Sequence, residues 1–246
     1  MHDDARFNAA FWDQQADAYQ EQVGPSIALH PLCWGAFFVP EHLLGVLDLD
    51  HIGGQSVLEL GCGGARWSIE LARLGATCTG VDPSRRQLAH ARAHVEAAGQ
   101  TLNLVEAAAS ELPLGDASVD LIFSDHGGLT YDDPARVLPE CARVLRPGGR
   151  LVFNTTSPWA EVCLDAEGTT VTRRLERSYF ELGRVANDDG VSWVLPHGRW
   201  IALLTESGFV VDALHELRPP DDATRLKPTH WARRWPAEEL WCATRR

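Results

Sequence analysis

Gly61-Cys62-Gly63-Gly64 sits between a short apolar run, Ser56-Val57-Leu58-Glu59-Leu60, and a helix-like stretch that begins at Trp67. Glycines in such a turn let the backbone bend tightly and approach a ligand that a Cβ would block. Asp82 closes the next apolar run, twenty-one residues after Gly61. A carboxylate at that place can accept hydrogen bonds from both hydroxyls of a ribose. Two further residues narrow the ligand. A dinucleotide fingerprint requires a third glycine at position 66, where this chain has Arg66. Glu59, two residues before the first glycine, would repel a pyrophosphate but suits a ligand carrying positive charge. Ser124-Asp125-His126-Gly127-Gly128 forms a second polar, glycine-containing cluster at the end of another apolar run. There His126 could take a proton near neutral pH, with Asp125 orienting it or contacting an amino group. The alternative is that His126 is a polar loop residue and Asp125 a turn cap.

These residues need a scaffold, and the chain supplies alternating elements. Strands are expected at 56–60, 77–81, 101–105, 119–123 and 150–154, with helices at 67–74, 85–98 and 134–145 between them. Ser84 is placed to cap the second of these helices and Gly99 to end it. The turn Arg146-Pro147-Gly148-Gly149 stops the third. Short strands alternating with helices of this length mean βαβ units and a parallel sheet. In such a sheet the ligand lies outside the carboxyl ends of the strands, where the two clusters fall. Residues 1–54 read as an N-terminal helical cap, with Phe7, Phe11, Trp12, Ala16 and Tyr19 at near-helical spacing. Residues 55–155 form the core. The stretch 155–196 breaks the alternation and reads as a substrate-side insertion, with a turn at 187–190. A helix near 198–207, a strand at 209–217, a Pro-rich loop at 219–236 and a strand near 239–244 complete a single domain.

Composition bounds the function. A net charge of −12 over 246 residues argues against nucleic-acid binding, which needs a basic footprint. No run of apolar residues is long enough to span a membrane, and the acidic start lacks the features of a signal peptide, so a cytoplasmic location is expected. The six cysteines include no C-x-x-C pair. Cys62, Cys78, Cys141 and Cys242 read as buried thiols, while Cys33 and Cys163 fall outside the core pattern and leave a thiolate trio open. No metal site is expected. Trp159, Tyr179, Trp193 and Trp200 either wall an apolar acceptor pocket or core the insertion. Trp231, Trp235 and Trp241 are expected to pack under the last strand. His30 and His197, next to prolines, read as solvated loop histidines, and Arg173, Arg174 and Arg177 as a solvated helix face.

Several of these stretches together resemble one family. Val57-Leu58-Glu59-Leu60-Gly61-Cys62-Gly63-Gly64 and Gly80-Val81-Asp82-Pro83-Ser84 are similar to the first two motifs of class I methyltransferases. Glu111-Leu112-Pro113 before Ser118–Phe123 resembles the segment around their fourth strand, and Arg143–Leu151 their turn into the fifth. The resemblance implies a doubly wound, Rossmann-like sheet of about seven strands with an antiparallel last strand. It implies S-adenosylmethionine as cofactor and S-adenosylhomocysteine as product, a sulfonium ligand that agrees with Glu59. By the same resemblance Asp82 would hold the ribose, with Pro83 and Gln87 beside it. Gly61, Cys62 and Gly63 would line the methionine portion, and Ala109 and Ser110 would flank the adenine. An Asp common in relatives near position 108 is Ala108 here. Tyr19 would close over the cofactor with Trp34 behind it. Ser124, Asp125 and His126 lie where relatives touch methyl donor and acceptor. The expected acceptor is a small molecule, with oxygen favoured over nitrogen or carbon because the Asn-Pro-Pro-aromatic signature of many N-methylating relatives is absent. The protein would act as a monomer or homodimer. Two other readings stay open at this point: an NAD(P)-dependent oxidoreductase on a similar sheet, and a non-catalytic S-adenosylmethionine-binding protein.

Overall fold

A computed structural model describes residues 3–187, 190–221 and 231–246. Its central sheet has seven strands: β1 (Ser56–Leu60), β2 (Thr77–Asp82), β3 (Asn103–Glu106), β4 (Val119–Asp125), β5 (Leu145–Thr156), β6 (Phe209–Leu217) and β7 (Glu238–Arg245). They lie in the order β6-β7-β5-β4-β1-β2-β3. β1 pairs in parallel with β2 on one side and β4 on the other, so the chain winds outward in both directions from β1. That reversal opens a crevice above the carboxyl end of β1. β7 is antiparallel to both β5 and β6.

Burial on both faces explains why the inner strands are almost wholly apolar. On one face Leu58, Ile122, Leu151 and Phe153 pack beneath α5 (Pro134–Val144) and α6 (His197–Glu206), elements that follow α1 (Asp3–Gln22), α2 (Gly24–Leu29), α3 (Arg66–Arg73) and α4 (Arg85–Ala97). On the other face Val57, Leu121, Phe123 and Val152 pack against Trp67 and Leu71 of α3 and against Trp34. Ser84 accepts a hydrogen bond from the Gln87 amide and Asp133 from that of Ala135, so α4 and α5 both start on a side-chain cap.

Trp200 is fully buried, with its ring centroid 5.0 Å from Phe153 and 6.4 Å from Trp241. Its Nε1 finds no hydrogen-bond partner among the described residues. Trp200→Ala is therefore expected to cost about 3–5 kcal/mol in urea denaturation. Trp200→Phe should cost much less, because it keeps most of the packing and removes an unsatisfied donor.

Several elements differ from the sequence expectations. β5 begins at Leu145 and carries the residues 146–149 as an irregularity, where the ladder to β4 jumps from Val119↔Leu145 to Leu121↔Arg150. β3 starts at Asn103, and β4 extends to Asp125. The Arg173–Arg177 stretch is not helical, and Arg177 pairs with Glu161. Trp231 packs with Val162 and Cys163, Trp235 is 39% exposed, and of the three late tryptophans Trp241 alone enters the sheet core. The expected turn at 187–190 and Pro-rich loop at 219–236 fall partly outside the described residues.

α1 is held by polar contacts more than by its aromatic residues, and Phe7 is half exposed. Asp13 accepts from Ser84 Oγ at 2.7 Å and from the Arg86 amide at 3.0 Å. Asp17 accepts both nitrogens of an Arg86 fork and contacts His90 Nε2 at 2.7 Å. At the other end Asn8 exchanges hydrogen bonds with the Val191 backbone of the hairpin Arg184–Asn187/Gly190–Trp193. The helix is thereby laid across the crevice. Among the described residues no helix is long and apolar enough to cross a membrane.

Candidate functional site

A cavity of about 590 Å³ occupies the crevice, within the range of sites that enclose small ligands. Its floor is the turn after β1. Gly61 has φ +69°, and a Cβ there would lie 2.9 Å from the Gly128 nitrogen. A Cβ on Gly128 would meet Leu60 Cβ at 2.5 Å, so these two turns can approach only without side chains. Asp82, at the end of β2, lines the cavity and also ties the surrounding backbone. Its Oδ2 accepts from the Gly63 amide at 2.9 Å and its Oδ1 from the Ser84 amide at 2.8 Å. Each oxygen keeps a lone pair for a further donor. Burial pushes the Asp82 carboxyl up to about 6 against these two amides.

Glu59 is buried beneath the turn and accepts from the amide and hydroxyl of Ser68 in α3. Burial pushes it up to about 8, with the charges of Asp125 and Asp82 adding to the rise. Asp125 accepts from the Gly35 amide at 2.9 Å and from Asn154 Nδ2 at 3.0 Å, and burial raises it as well. Glu238, the first residue of β7, accepts from the Ala36 amide and contacts His126 Nε2 at 2.6 Å. With Asp132 these make five carboxylates lining one cavity, against Arg66 and His126 as the cationic side chains there among the described residues. An anionic ligand such as a pyrophosphate would be repelled, and a sulfonium with an ammonium would be attracted. The donor set fits S-adenosylmethionine.

The roof is apolar: Trp12 and Tyr19 from α1, Val23 and Ile27 at α2, Phe38 and, from the loop after β4, Tyr131. Trp12 stacks on Tyr131 with centroids 6.1 Å apart and meets Tyr19 edge-on at 5.4 Å. Burial pushes the Tyr19 hydroxyl up to about 12.

Most of the expected site residues meet here. Tyr19, Glu59, Gly61, Cys62, Gly63, Asp82, Pro83, Gln87, Ala109, Asp125 and His126 all line the cavity. Three do not. Trp34 is fully buried, donates from Nε1 to Glu41 at 2.5 Å and packs 4.7 Å from Trp67, so it supports the sheet instead of backing Tyr19. Ser124 is buried with its hydroxyl 2.9 Å from the Leu60 carbonyl, where it fastens the end of β1. Ser110 turns its hydroxyl onto Asp132, and that carboxylate faces the cavity in its place.

Asp125 does not orient His126, because its contacts go to Gly35 and Asn154; Glu238 holds the ring. Burial alone would lower the His126 pKa, but the charge and hydrogen bond of Glu238, aided by Asp125, carry it up to about 9. His126 is therefore an imidazolium at neutral pH. The aromatics of the insertion stay outside the cavity: Trp200 is in the core, Trp159 is 42% exposed, Tyr179 packs on Trp159, and Trp193 donates to Asp4. Among the described residues of the insertion Thr156 alone reaches the cavity, whose roof comes instead from residues 5–38 and Tyr131. Cys33 lines it as a thiol pushed up to about 11 by burial, while Cys163 lies in the separate cluster around Trp231, so no thiolate trio forms. His197 is likewise no free loop residue, since its Nε2 meets the buried Glu239 at 2.8 Å.

Glu238, Asp132, Trp12 and Tyr131 were not anticipated. Trp12 alone had a sequence signal, its place two turns before Tyr19 on α1.

Comparison with known proteins agrees with this geometry. Residues 58–153 match the family model described as a methyltransferase domain. A ubiquinone biosynthesis O-methyltransferase of Alkalilimnicola ehrlichii is 31% identical over 169 residues, covering 63% of this chain and 59% of that protein. One from Albidiferax ferrireducens is 37% identical over 130 residues, covering 48% and 50%. The chain thus spans about half the length of the curated relatives it matches. An S-adenosylmethionine-dependent methyltransferase from Mesorhizobium loti superposes with a TM-score of 0.69 at 26% identity, over 86% of this chain and 99% of that one. A Burkholderia thailandensis 1,6-didemethyltoxoflavin-N1-methyltransferase, solved with S-adenosylhomocysteine, shares the fold with a TM-score of 0.62 at 16% identity, over 98% and 90%. Fold, site and relatives converge: residues 58–153 form a methyltransferase domain, and the chain has the fold of class I S-adenosylmethionine-dependent methyltransferases.

Proposed function

We propose that the protein transfers a methyl group from S-adenosylmethionine to an oxygen of a small, largely apolar acceptor. The observation that carries this reading is the five-carboxylate cavity at the sheet reversal, roofed by aromatic and aliphatic side chains. The named activity of the curated relatives, O-methylation in ubiquinone biosynthesis, supports oxygen as the acceptor atom. The net charge of −12 and the acidic lining favour a small molecule over a nucleic acid. The protein would work as a monomer or homodimer.

When bound, the cofactor supplies an electrophilic methyl on a good leaving group, so alignment and exclusion of water can provide much of the acceleration. Asp82 would accept from the ribose hydroxyls while holding the Gly63 and Ser84 amides. Glu59 and Asp125 would face the positive end of the ligand. Ala107, Ala108 and Ala109 leave a flat wall for the adenine, with Asp132 placed to accept from its amino group. Trp12, Tyr19 and Tyr131 would shield the reacting atoms from water. His126, once its Nδ1 proton is lost as pH approaches about 9 and with its Nε2–H held by Glu238, would accept the proton of the acceptor hydroxyl at Nδ1.

The carboxylates also predict how affinity responds to pH. Glu59, Asp82 and Asp125 have raised pKa values, so each gains its charge only as pH climbs. S-adenosylmethionine carries one more positive charge than S-adenosylhomocysteine. Its affinity relative to the product is expected to rise between about pH 5 and pH 8, and its binding to release protons. Calorimetry in buffers of different ionisation heat measures both; equal pH dependence for the two ligands would contradict the electrostatic reading.

The activity is tested by incubating the protein with S-adenosylmethionine and a panel of hydroxylated and amine-bearing aromatics, following S-adenosylhomocysteine release and the methylated product by mass spectrometry. Turnover with hydroxylated members supports the proposal. Cofactor binding with no turnover on any member would favour a binding protein without catalysis.

A further inference from the structure

The sheet order divides the cavity in two. Asp82, Gln87 and the alanines 107–109 lie at β2, β3 and the start of α4, where they suit a nucleoside. Asp125, His126, Thr156 and Glu238 lie on the other side of β1, at the ends of β4 and β5 and the start of β7. The segment 33–38 is fastened over this second half. The Gly35 amide donates to Asp125 Oδ1 at 2.9 Å, and the Ala36 amide to both Glu238 oxygens at 3.0 and 3.1 Å. Gly35 has φ +72°, and a Cβ there would collide with Glu238 Oε2, so the backbone crosses this carboxylate only without a side chain. Two adjacent amides thus hold carboxylates from β4 and β7 at one end of the cavity. Cys33, Phe38 and, from α2, Ile27 add an apolar wall.

These side chains keep acceptor capacity that the protein does not use. Asp125 Oδ2 accepts from none of the described residues, and Glu238 Oε2 from the Ala36 amide alone. Asn154, 1% exposed, spends its amide nitrogen on Asp125, and its Oδ1 finds no donor among the described residues. The charges are also unbalanced. The cofactor's positive end can answer Asp125, and His126 answers Glu238 while it holds both protons. To act as a base, however, His126 must first be neutral, and the buried Glu238 then has no counter-charge from protein or cofactor. A buried carboxylate left so is costly. We propose that the acceptor is a protonated amine that also bears the hydroxyl to be methylated, its ammonium received by Glu238; the proposal rests on the methyltransferase reading above. The ammonium donates to Glu238 Oε2 and stays there through the reaction. Meanwhile the hydroxyl proton passes to His126 Nδ1, the oxygen takes the methyl, and sulfur keeps the electrons of the broken bond. Glu238 therefore selects the acceptor by charge as well as holding the imidazole, and acceptors bearing a carboxylate are disfavoured.

The test titrates the S-adenosylhomocysteine complex at pH 8 with three probes of similar shape and different charge: phenethylammonium, 2-phenylethanol and phenylacetate. Calorimetry on the wild type should show phenethylammonium binding about 10- to 100-fold tighter than 2-phenylethanol, the range for a hydrogen bond between charged groups, with phenylacetate weakest. Glu238→Gln removes a negative charge and with it much of the positive charge on His126, so the net charge of this half changes little. The preference for the ammonium should nevertheless fall to within about three-fold, because a direct charge-assisted contact carries it and not a diffuse field. His126→Asn keeps both carboxylates and removes the competing cation, so the preference should widen. Retained S-adenosylhomocysteine affinity shows both variants to be folded. Equal affinity for ammonium and alcohol, tighter binding of phenylacetate, or a preference unmoved in Glu238→Gln would overturn the proposal. So would silence from all three probes in a complex that binds S-adenosylhomocysteine. Failure of the wild type to bind S-adenosylhomocysteine would instead bring down the methyltransferase reading, and this assignment with it.

Discussion

His126→Asn is expected to lower kcat by about 100- to 10,000-fold while leaving S-adenosylhomocysteine affinity nearly unchanged, the range for loss of a positioned general base. The expectation follows from geometry: His126 opens the loop after β4 in a left-handed conformation, φ +61°, with Glu238 fixing its Nε2 from β7. The pH dependence makes the prediction sharper. With its pKa near 9, His126 is protonated at neutral pH and becomes a base only as pH rises. In the wild type, kcat should climb with pH and level off above about 9. Glu238→Gln removes the negative charge but keeps an oxygen for the Ala36 amide. Burial then lowers the imidazole against the smaller opposition of Asp125, so the rise should move well below 9. A kcat profile flat across this range in the wild type, or unmoved in Glu238→Gln, would remove the dyad from the chemistry.

Asp82→Ala should weaken S-adenosylhomocysteine by about 3 kcal/mol, roughly 100-fold. Two losses combine. Hydrogen bonds from the ribose hydroxyls disappear, and the Gly63 and Ser84 amides lose the carboxylate that sets the glycine turn and the start of α4. Asp82→Asn keeps one oxygen acceptor and should lose less. Calorimetry on variants with wild-type circular dichroism separates affinity from unfolding. Full retention of affinity in folded Asp82→Ala would take the residue out of the site.

Which parts of this arrangement could be read from sequence depends on how local their causes are. The glycine turn, Glu59 and Asp82 belong to one βαβ unit, where strand ends and helix starts fix side-chain positions over some twenty-five residues. These were legible, as was the run of parallel strands, because apolar runs and caps are local signals. Trp34 was misread since an aromatic beside a Gly looks the same whether it faces a ligand or a core; its burial depends on Trp67 and Phe123, far away in sequence. Glu238 could not be paired with His126 in advance, because 112 residues and the antiparallel return of β7 separate them. Ser110 looked like an adenine contact only while Asp132, twenty-two residues on, was out of view. The insertion drew attention by its tryptophans, yet its hairpin serves to brace α1 through Asn8, and the roof is built from the N-terminal segment and Tyr131. Arg66 argued against a dinucleotide by occupying a glycine's place, but that it lines the cavity with its Nε buried is a property only of the folded chain.

The central claim is that this cavity is built for a sulfonium nucleoside with an amino-acid tail. Calorimetric titration with S-adenosylmethionine and S-adenosylhomocysteine, with NAD and NADP as controls, tests it most directly. The structure predicts binding of the first pair at micromolar affinity, about −8 kcal/mol, and none of the second. Binding of a dinucleotide, with no response to S-adenosylmethionine from folded protein, would contradict it.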